Sequence, residues 1–351
     1  MSRIRCKWVF IIASAVALIY TPEVAIATMG WFNLRDKESR FGIRESRYEA
    51  IQRLGINHGG NGRTFSVLGI PNPPHSPVGT WTNSLILGFP EGDGDSWPVH
   101  RTDGVGFFNE PEWWRDPQIL ILGDSFVTCE HLQTNSITRL VRERVAPAVN
   151  LGVTGSGPLT ALAALKSYWP KLSNSVRMVV WCYYEGNDLQ DAAIERRTPF
   201  FAGAMSRNFE SAPDQSLLRL LPRTSDKIGH GWAWAFQTVL TMSRTRQAFR
   251  YYQGDSDGAA ITAESIKEGA RYCAVPMLLI RIRRGDTYIK QLDREWDLIS
   301  RTCGVTNQVE MNAERSYYTP AKILAHYSHH GYDQLCEAIR TNWTRIDSHN
   351  P

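Results

Sequence analysis

Residues 118–127, "QILILGDSFV", form a continuous apolar run that stops abruptly at Gly123-Asp124-Ser125. An apolar run of this length, bounded by turn residues, predicts a strand that is buried on both faces of a sheet. Gly and Asp also end strands without any functional role. Even so, a serine on a tight turn at the carboxyl end of a buried strand is a candidate nucleophile, and a nucleophile needs partners elsewhere in the chain.

Similar apolar runs recur after residue 118, and segments with helical periodicity separate them. The further strand candidates are "AVNLG" (148–152), "RMVVWCYY" (177–184) and "VPMLLIRI" (275–282). The helix candidates are "TNSITRLVRERV" (134–145), with Asn135 or Ser136 as N-cap, "GPLTALAALKSYW" (157–169) and "YIKQLDREWDLISRTCG" (288–304). This alternation predicts an α/β fold of three layers, α/β/α, around a mostly parallel, flavodoxin-like sheet.

The chain of 351 residues is long enough for more than one compact region. Residues 28–115 are rich in Gly and Pro with short apolar runs, and they predict an irregular, β-rich N-terminal segment. Residues 116–345 are expected to form the α/β domain. Within it the alternation breaks between about 196 and 263, which predicts a helical insertion.

The first 27 residues have the pattern of an export signal. Arg3, Arg5 and Lys7 precede the apolar run "WVFIIASAVALIY", and Ala25-Ile26-Ala27 is of the A-x-A type. We therefore expect a periplasmic or secreted protein whose only membrane association is through residues 1–27. Cleavage after Ala27 and retention of this segment as an anchor are both open.

Charge and cysteine content exclude several classes of protein. The net charge is only +4 and no dense basic run occurs, so nucleic acid is not an expected partner. One of the six cysteines, Cys6, lies in the export signal. The other five are an odd number and indicate no disulfide framework, although Cys273 and Cys303 are a candidate pair. No CxxC pair is present, and neither a metal nor an organic cofactor is expected.

The ends of three predicted strands carry the candidate site. Ser125 follows the first strand, Gly152 and Gly155 follow the second in "NLGVTGSG", and Asn187 follows the third in "EGNDL". Carboxyl ends of parallel strands share one edge of the sheet, so these residues are expected to converge. A hydroxyl nucleophile with backbone and amide N–H donors for an oxyanion is the set that acyl transfer requires.

A serine also needs a base, and "AHYSHHGYDQLCEAI" (325–339) offers three histidines in five residues, just before a predicted helix. From the residues alone, His326, His329 and His330 are all candidates. Asp124 and Asp188 are expected to support the turns that present Ser125 and Asn187.

Together the four blocks resemble the SGNH (GDSL-type) hydrolase family, whose name records Ser, Gly, Asn and His in separated motifs. The resemblance spans residues 117–340, and "RTDGVGFFNEPEWWRDP" (101–117) is similar to the segment that precedes the catalytic block in many exported bacterial members. It implies that Ser125 and His326 are catalytic. It also implies that Ser125, Gly155 and Asn187 form the oxyanion hole.

The resemblance implies an exported serine esterase that acts on ester-linked acyl groups of a small molecule or a glycan, acetyl groups included. In one respect the sequence departs from the family pattern: Ile323 and Leu324 stand where an aspartate usually precedes the histidine. An O-acyltransferase of the same chemistry is one alternative. The missing aspartate and the long insertion favour another, a non-catalytic binding or assembly protein for envelope polysaccharide. Oligomeric state is not indicated by the sequence.

Overall fold

The fold is described from a computed structural model. It describes residues 21, 64–66, 78–79, 82–87, 98–128, 136–209, 256–283, 290–318 and 326–348. Chain contacts separate residues 1–42 and 222–254 from residues 43–221 and 255–351, and every described residue except Thr21 belongs to the second group. The predicted export signal and most of the predicted insertion therefore lie outside the described residues.

Five parallel strands form the central sheet. They are β4 (Ile119–Leu122), β5 (Ala148–Asn150), β6 (Met178–Tyr184), β7 (Met277–Ile282) and β8 (Asn307–Glu310), after three earlier strands of a separate sheet. The order across the sheet is β5-β4-β6-β7-β8, and all four neighbouring pairs are parallel. This is the flavodoxin-like order, and it confirms the predicted α/β class.

Helices cover both faces of the sheet. In chain order they are α1 (Ser125–Thr128), α2 (Ile137–Arg144), α3 (Pro158–Leu172), α4 (Asp188–Glu195), α5 (Pro199–Gly203), α6 (Ser256–Cys273), α7 (Lys290–Thr302) and α8 (His329–Asp347). Alternate residues of each strand face opposite layers. Leu120, Val179 and Leu279 pack toward α3, α6 and α7, whereas Ile121 and Val180 pack toward α2 and α8.

A buried ion-pair network joins three strands near their carboxyl ends. Arg281 on β7 is almost fully buried, and its guanidinium contacts Glu185 just after β6 at 2.6 Å, Asp293 on α7 at 2.7 Å and Glu310 on β8 at 3.3 Å. Removing one partner of such a buried pair leaves a charge uncompensated. The network therefore fixes the edge of the sheet from which Asn187 emerges.

The described part of the N-terminal segment contains a small antiparallel sheet, β1 (Thr64–Ser66), β2 (Ser84–Leu87) and β3 (Val99–Arg101). Beyond it, Phe107 is fully buried in the core of the α/β region and packs edge-on against Tyr168 of α3. Asp103 accepts hydrogen bonds from the N–H of Val105 and Phe107 and from the Trp114 indole. Residues 103–114 are thus part of the same packed unit as the parallel sheet.

Several elements were not among the predicted ones, including α1, α4, α6 and β8. The helix α6 begins at Ser256, inside the range predicted as an insertion, and it serves as the connection into β7. Residues 210–255 of that range lie outside the described residues.

Cys273 and Cys303, the candidate disulfide pair, are both buried free thiols. Within the described ranges, the helices lack the length and apolar character needed to cross a membrane.

Candidate active site

Ser125 begins α1 directly after the turn that ends β4. The Asp124 carbonyl accepts the Val127 N–H at 3.0 Å, and Asp124 Oδ1 accepts the Phe126 N–H at 3.0 Å, so Asp124 caps this short helix. A Cβ atom at Gly123 would lie 2.5 Å from Val127 Cγ2 and 3.0 Å from the Cys182 carbonyl oxygen. Only glycine fits this close approach, and the resulting turn leaves Ser125 half-buried at the carboxyl edge of the sheet.

Of the three candidate histidines, His326 is the one that contacts Ser125. Its Nε2 lies 2.9 Å from Ser125 Oγ, and the side chain is buried. The Phe126 ring packs against the imidazole with a centroid distance of 5.1 Å. Ile323 and Leu324 lie outside the described residues.

The backbone on either side of Tyr327 determines where His326 sits. Tyr327 is fully buried and pairs with Tyr318 in an isolated antiparallel bridge. Ser328 donates its N–H to the Tyr317 carbonyl at 2.7 Å, and its hydroxyl caps α8 by accepting the Gly331 N–H. These contacts place His326, three positions before the first residue of α8, against α1.

Hydrogen bonds draw the glycine-rich loop after β5 toward Ser125. The Val153 N–H bonds to the Gly123 carbonyl at 3.1 Å, and the Thr154 and Thr128 hydroxyls are 2.8 Å apart. Gly155 follows with φ of +70°, in the left-handed region that favours glycine, and it is exposed. The loop therefore presents Gly155 on the surface next to the turn that carries Ser125.

Asn187 occupies the N-cap position of α4 but does not use its side chain as a cap. Its Nδ2 instead donates to Asp191 Oδ2, one turn along the helix, at 2.5 Å. Asp188, the other predicted supporting residue, is buried, and its Oδ2 accepts the Tyr184 N–H at 2.9 Å. Asp188 thus closes the turn between β6 and α4, while Asn187 remains half-buried at the same edge of the sheet as Ser125.

Two residues that the sequence analysis did not single out, Asp191 and Glu195, organise this part of the site. Glu195 is buried and accepts the N–H groups of Gly157, Leu159 and Thr160, at 2.7, 2.9 and 3.2 Å. It therefore ties the N-terminus of α3, which follows the Gly155 loop, to α4, which follows Asn187. The signal in the sequence is the spacing of four between Asn187, Asp191 and Glu195, which puts them on one face of a helix.

Four carboxyl groups lie close together beneath the site: Asp124, Asp188, Asp191 and Glu195. Burial raises the pKa of each, and for Asp191 the raised pKa is about 7. Mutual repulsion adds to the rise for Asp188, since Asp124 and Asp191 both act on it. The nearby His326 acts in the opposite direction on Asp124 and lowers its pKa. The site thus contains carboxyl groups that hold protons at higher pH than exposed ones do.

No group of three or more His, Cys, Asp or Glu side chains in the described part of the chain is arranged to hold a metal ion. The arrangement present is instead a serine hydroxyl in contact with an imidazole, beside a glycine-rich loop and a side-chain amide. Such a set can transfer a proton from Ser125 and can offer N–H donors to a negatively charged oxygen.

Comparison with known proteins adds little to this geometry. No family model and no curated protein matches the chain. A solved structure titled "Crystal Structure of TesA" is similar over 65% of this chain and 98% of that chain, with 13% sequence identity and a TM-score of 0.38. At that score the similarity supports no statement about the site, and the fold assignment follows from the strand order given above.

Proposed function

We propose that this protein is a serine esterase that hydrolyses ester-linked acyl groups, with Ser125 as nucleophile and His326 as general base. The observation that carries the proposal is the 2.9 Å contact between Ser125 Oγ and His326 Nε2, made between residues 201 positions apart. The hydroxyl lies at the carboxyl edge of a parallel sheet, where open α/β folds place their sites. The four sequence blocks shared with SGNH hydrolases support the same chemistry.

In this mechanism His326 Nε2 takes the proton from Ser125 Oγ as the oxygen attacks the ester carbonyl carbon. The carbonyl oxygen becomes an oxyanion, for which the N–H groups of Ser125 and Gly155 and the Asn187 amide are the proposed donors. Collapse of the tetrahedral intermediate expels the alcohol, which takes the proton from His326. Water, activated by the same imidazole, then releases the acid from the acyl-enzyme.

Two alternatives share this scaffold. An O-acyltransferase would differ only in the last step, where a sugar hydroxyl replaces water. A non-catalytic binding or assembly protein is favoured by Ile323 and Leu324, because the sequence just before His326 lacks the carboxylate that usually orients the histidine in the SGNH family. The contact between Ser125 and His326 favours catalysis, because a binding protein has no need to keep a base against a serine.

A fluorophosphonate probe and a short-chain aryl ester distinguish a catalyst from a binding protein. We expect the wild-type chain to be labelled and to turn over the ester, and Ser125→Ala to do neither. His326→Ala should lower kcat by about 10²–10⁴, the usual contribution of a general base. The matched control is His330→Ala, an exposed histidine of the same stretch, which should retain wild-type turnover.

Each other outcome has a definite reading. An unlabelled wild-type protein would show that the scaffold is not catalytic. Undiminished turnover by Ser125→Ala would exclude Ser125 as nucleophile. Labelling with slow ester hydrolysis that accelerates when a sugar alcohol is added would favour the acyltransferase. Export, expected from residues 1–27, is a separate question that N-terminal sequencing of protein from fractionated cells decides.

A further inference from the structure

The Asn187 side chain does not cap the helix α4, although it lies at the N-cap position. At the N-cap of α4 its side-chain oxygen could accept an N–H of the first helical turn, yet no such bond is made. The amide nitrogen is instead bonded to Asp191 Oδ2 at 2.5 Å. The backbone bond from the Asp191 N–H to the Asn187 carbonyl, 2.9 Å long, keeps the two residues on successive turns of one helix face.

Asp191 is itself held between Asn187 and the glycine-rich loop. A Cβ atom at Gly157 would lie 2.7 Å from Asp191 Cβ, so the end of that loop packs directly on this residue. The hydrogen bonds that Glu195 accepts from the N–H groups of Gly157 and Leu159 fix the same contact one turn further along α4. Asp191 therefore cannot move away from the amide without disturbing the loop that carries Gly155.

From this geometry we propose that Asp191 is a positioning residue that keeps the nitrogen of the Asn187 amide, and not its oxygen, available to the oxyanion. The inference rests on the proposed function and deepens it, because it assigns a role to a residue that touches neither the nucleophile nor the base. Asp191 acts only through Asn187.

The reason lies in what each protonation state of Asp191 can bind. An ionised carboxylate only accepts hydrogen bonds, so it holds the NH₂ group of Asn187 and leaves the second hydrogen of that group for another acceptor. A protonated carboxyl can donate instead, and the amide can then turn over and present its oxygen to Asp191. In the turned amide the NH₂ group would no longer lie where it can donate to the substrate oxygen. Oxyanion binding by Asn187 therefore requires an ionised Asp191.

The surroundings of Asp191 place its change of protonation state within the pH range of ordinary assays. The charges of Glu195 on the same helix and of Asp124 at the turn after β4 raise the pKa of Asp191. Asp191 in turn raises the pKa of Asp188 on the same helix, and Gly157 is its neighbour from the loop before α3. Burial is the main reason that the pKa of Asp191 is raised to about 7, while the Asn187 bond lowers it. Catalysis should therefore gain from the ionisation of Asp191 as pH rises through neutrality.

An NMR titration tests the coupling without any turnover. The full chain is labelled with ¹⁵N-asparagine, and the Asn187 side-chain signals are identified by their loss in Asn187→Ala. We expect these signals to shift with pH, with a midpoint near 7, and Asp191→Asn to abolish the shift. Asn187 signals that stay constant between pH 5.5 and 8.5, or that still titrate in Asp191→Asn, would overturn the inference.

Kinetics with the aryl ester test the consequence. Asp191→Ala should lower kcat at least about tenfold with KM within about twofold, because an oxyanion donor acts in the transition state and not in substrate binding. Asp191→Asn, which retains a carbonyl acceptor, should recover part of the loss and should lack the rise in kcat near pH 7 that Asp191 causes. Gln190→Ala, on the adjacent position of α4, is the control and should leave both parameters unchanged.

The outcomes separate the two proposals. A raised KM with unchanged kcat in Asp191→Ala would make Asp191 a substrate contact and overturn the positioning role. An active wild-type enzyme whose Asn187 amide does not titrate overturns only this inference. A wild-type protein that neither labels nor turns over ester refutes the proposed function, and the role of Asp191 in oxyanion binding with it.

Discussion

At the scale of single residues, the hydroxyl of Ser125 has two neighbours that can take its hydrogen. Asp124 Oδ2 lies 3.3 Å from Ser125 Oγ, and His326 Nε2 lies 2.9 Å from it. A hydroxyl has one hydrogen to donate, so the two groups compete for it. The charge of His326 also lowers the pKa of Asp124, so the two groups stabilise each other's ionised forms.

Asp124→Asn should therefore weaken catalysis without disturbing the turn. Asparagine retains an oxygen for the Phe126 N–H but loses the charge that stabilises the imidazolium formed in the transition state. We expect kcat to fall about tenfold, equivalent to about 1.4 kcal/mol of barrier. The acid limb of the kcat/KM profile should move to lower pH, because the imidazolium of His326 loses the negative charge of Asp124 beside it.

Rate measurements across pH 5 to 9 check this prediction, with Asp116→Asn, an exposed aspartate, as the control for loss of a charge. An acid limb that stays in place would show that Asp124 only caps α1. In that case Asp124 does not replace the aspartate that the SGNH family carries just before its histidine, where this sequence has Ile323 and Leu324.

At the scale of secondary-structure elements, the two helices α3 and α4 carry the proposed oxyanion donors at their N-terminal ends. Glu195 joins these two ends, since its carboxylate accepts three backbone N–H groups and the Thr160 hydroxyl at the start of α3. The first N–H groups of a helix have no partner within the helix, so a buried helix start needs an acceptor of this kind.

Glu195→Ala should destabilise the fold by about 2–4 kcal/mol, because it leaves several buried donors without an acceptor. Glu195→Gln, which retains one carbonyl oxygen, should lose less. Urea unfolding at pH 7 measures both, and an unchanged m value would show that the loss is one of stability. Glu264→Ala on α6, an exposed position, is the control. A midpoint for Glu195→Ala equal to that of the control would mean that the α3 terminus finds another acceptor.

At the scale of the whole molecule, the buried carboxyl groups predict how stability depends on pH. The pKa values of Asp124, Asp188, Asp191 and Glu195 are all raised in the folded chain. Between the ordinary carboxyl pKa near 4 and these raised values, the folded state binds more protons than the unfolded state. Their contribution to the free energy of unfolding therefore falls as pH rises from about 4 through about 7.

We expect the urea midpoint to be higher at pH 5 than at pH 8. Asp191→Asn should flatten the part of this dependence that lies below pH 7, because the pKa of Asp191 is about 7 in the folded chain. Asp116→Asn serves again as the control and should keep the wild-type slope. A midpoint that rises steadily from pH 5 to pH 8 would show that these groups are ionised without cost in the folded protein.

The sequence by itself determined the parallel sheet and the position of Ser125. The strands β4, β6 and β7 are continuous apolar runs because both of their faces are buried, and this property is visible in the residues. The caps are also local: Ser136 accepts the Arg139 N–H at the start of α2, and Gly304 has φ of +71° after α7. Local chemistry fixes such features wherever they lie in the fold.

The tertiary structure alone decided the elements and contacts that lack a local signal. The strand β8, "NQVE", is a half-exposed edge strand without an apolar run, and only its pairing with β7 defines it. The roles of Asp191 and Glu195 likewise depend on Gly157, which is 38 positions from Glu195 along the chain. Burial and charge act through space, so only the folded structure raises the pKa values of Asp191 and Glu195 and brings His326 Nε2 to 2.9 Å from Ser125 Oγ.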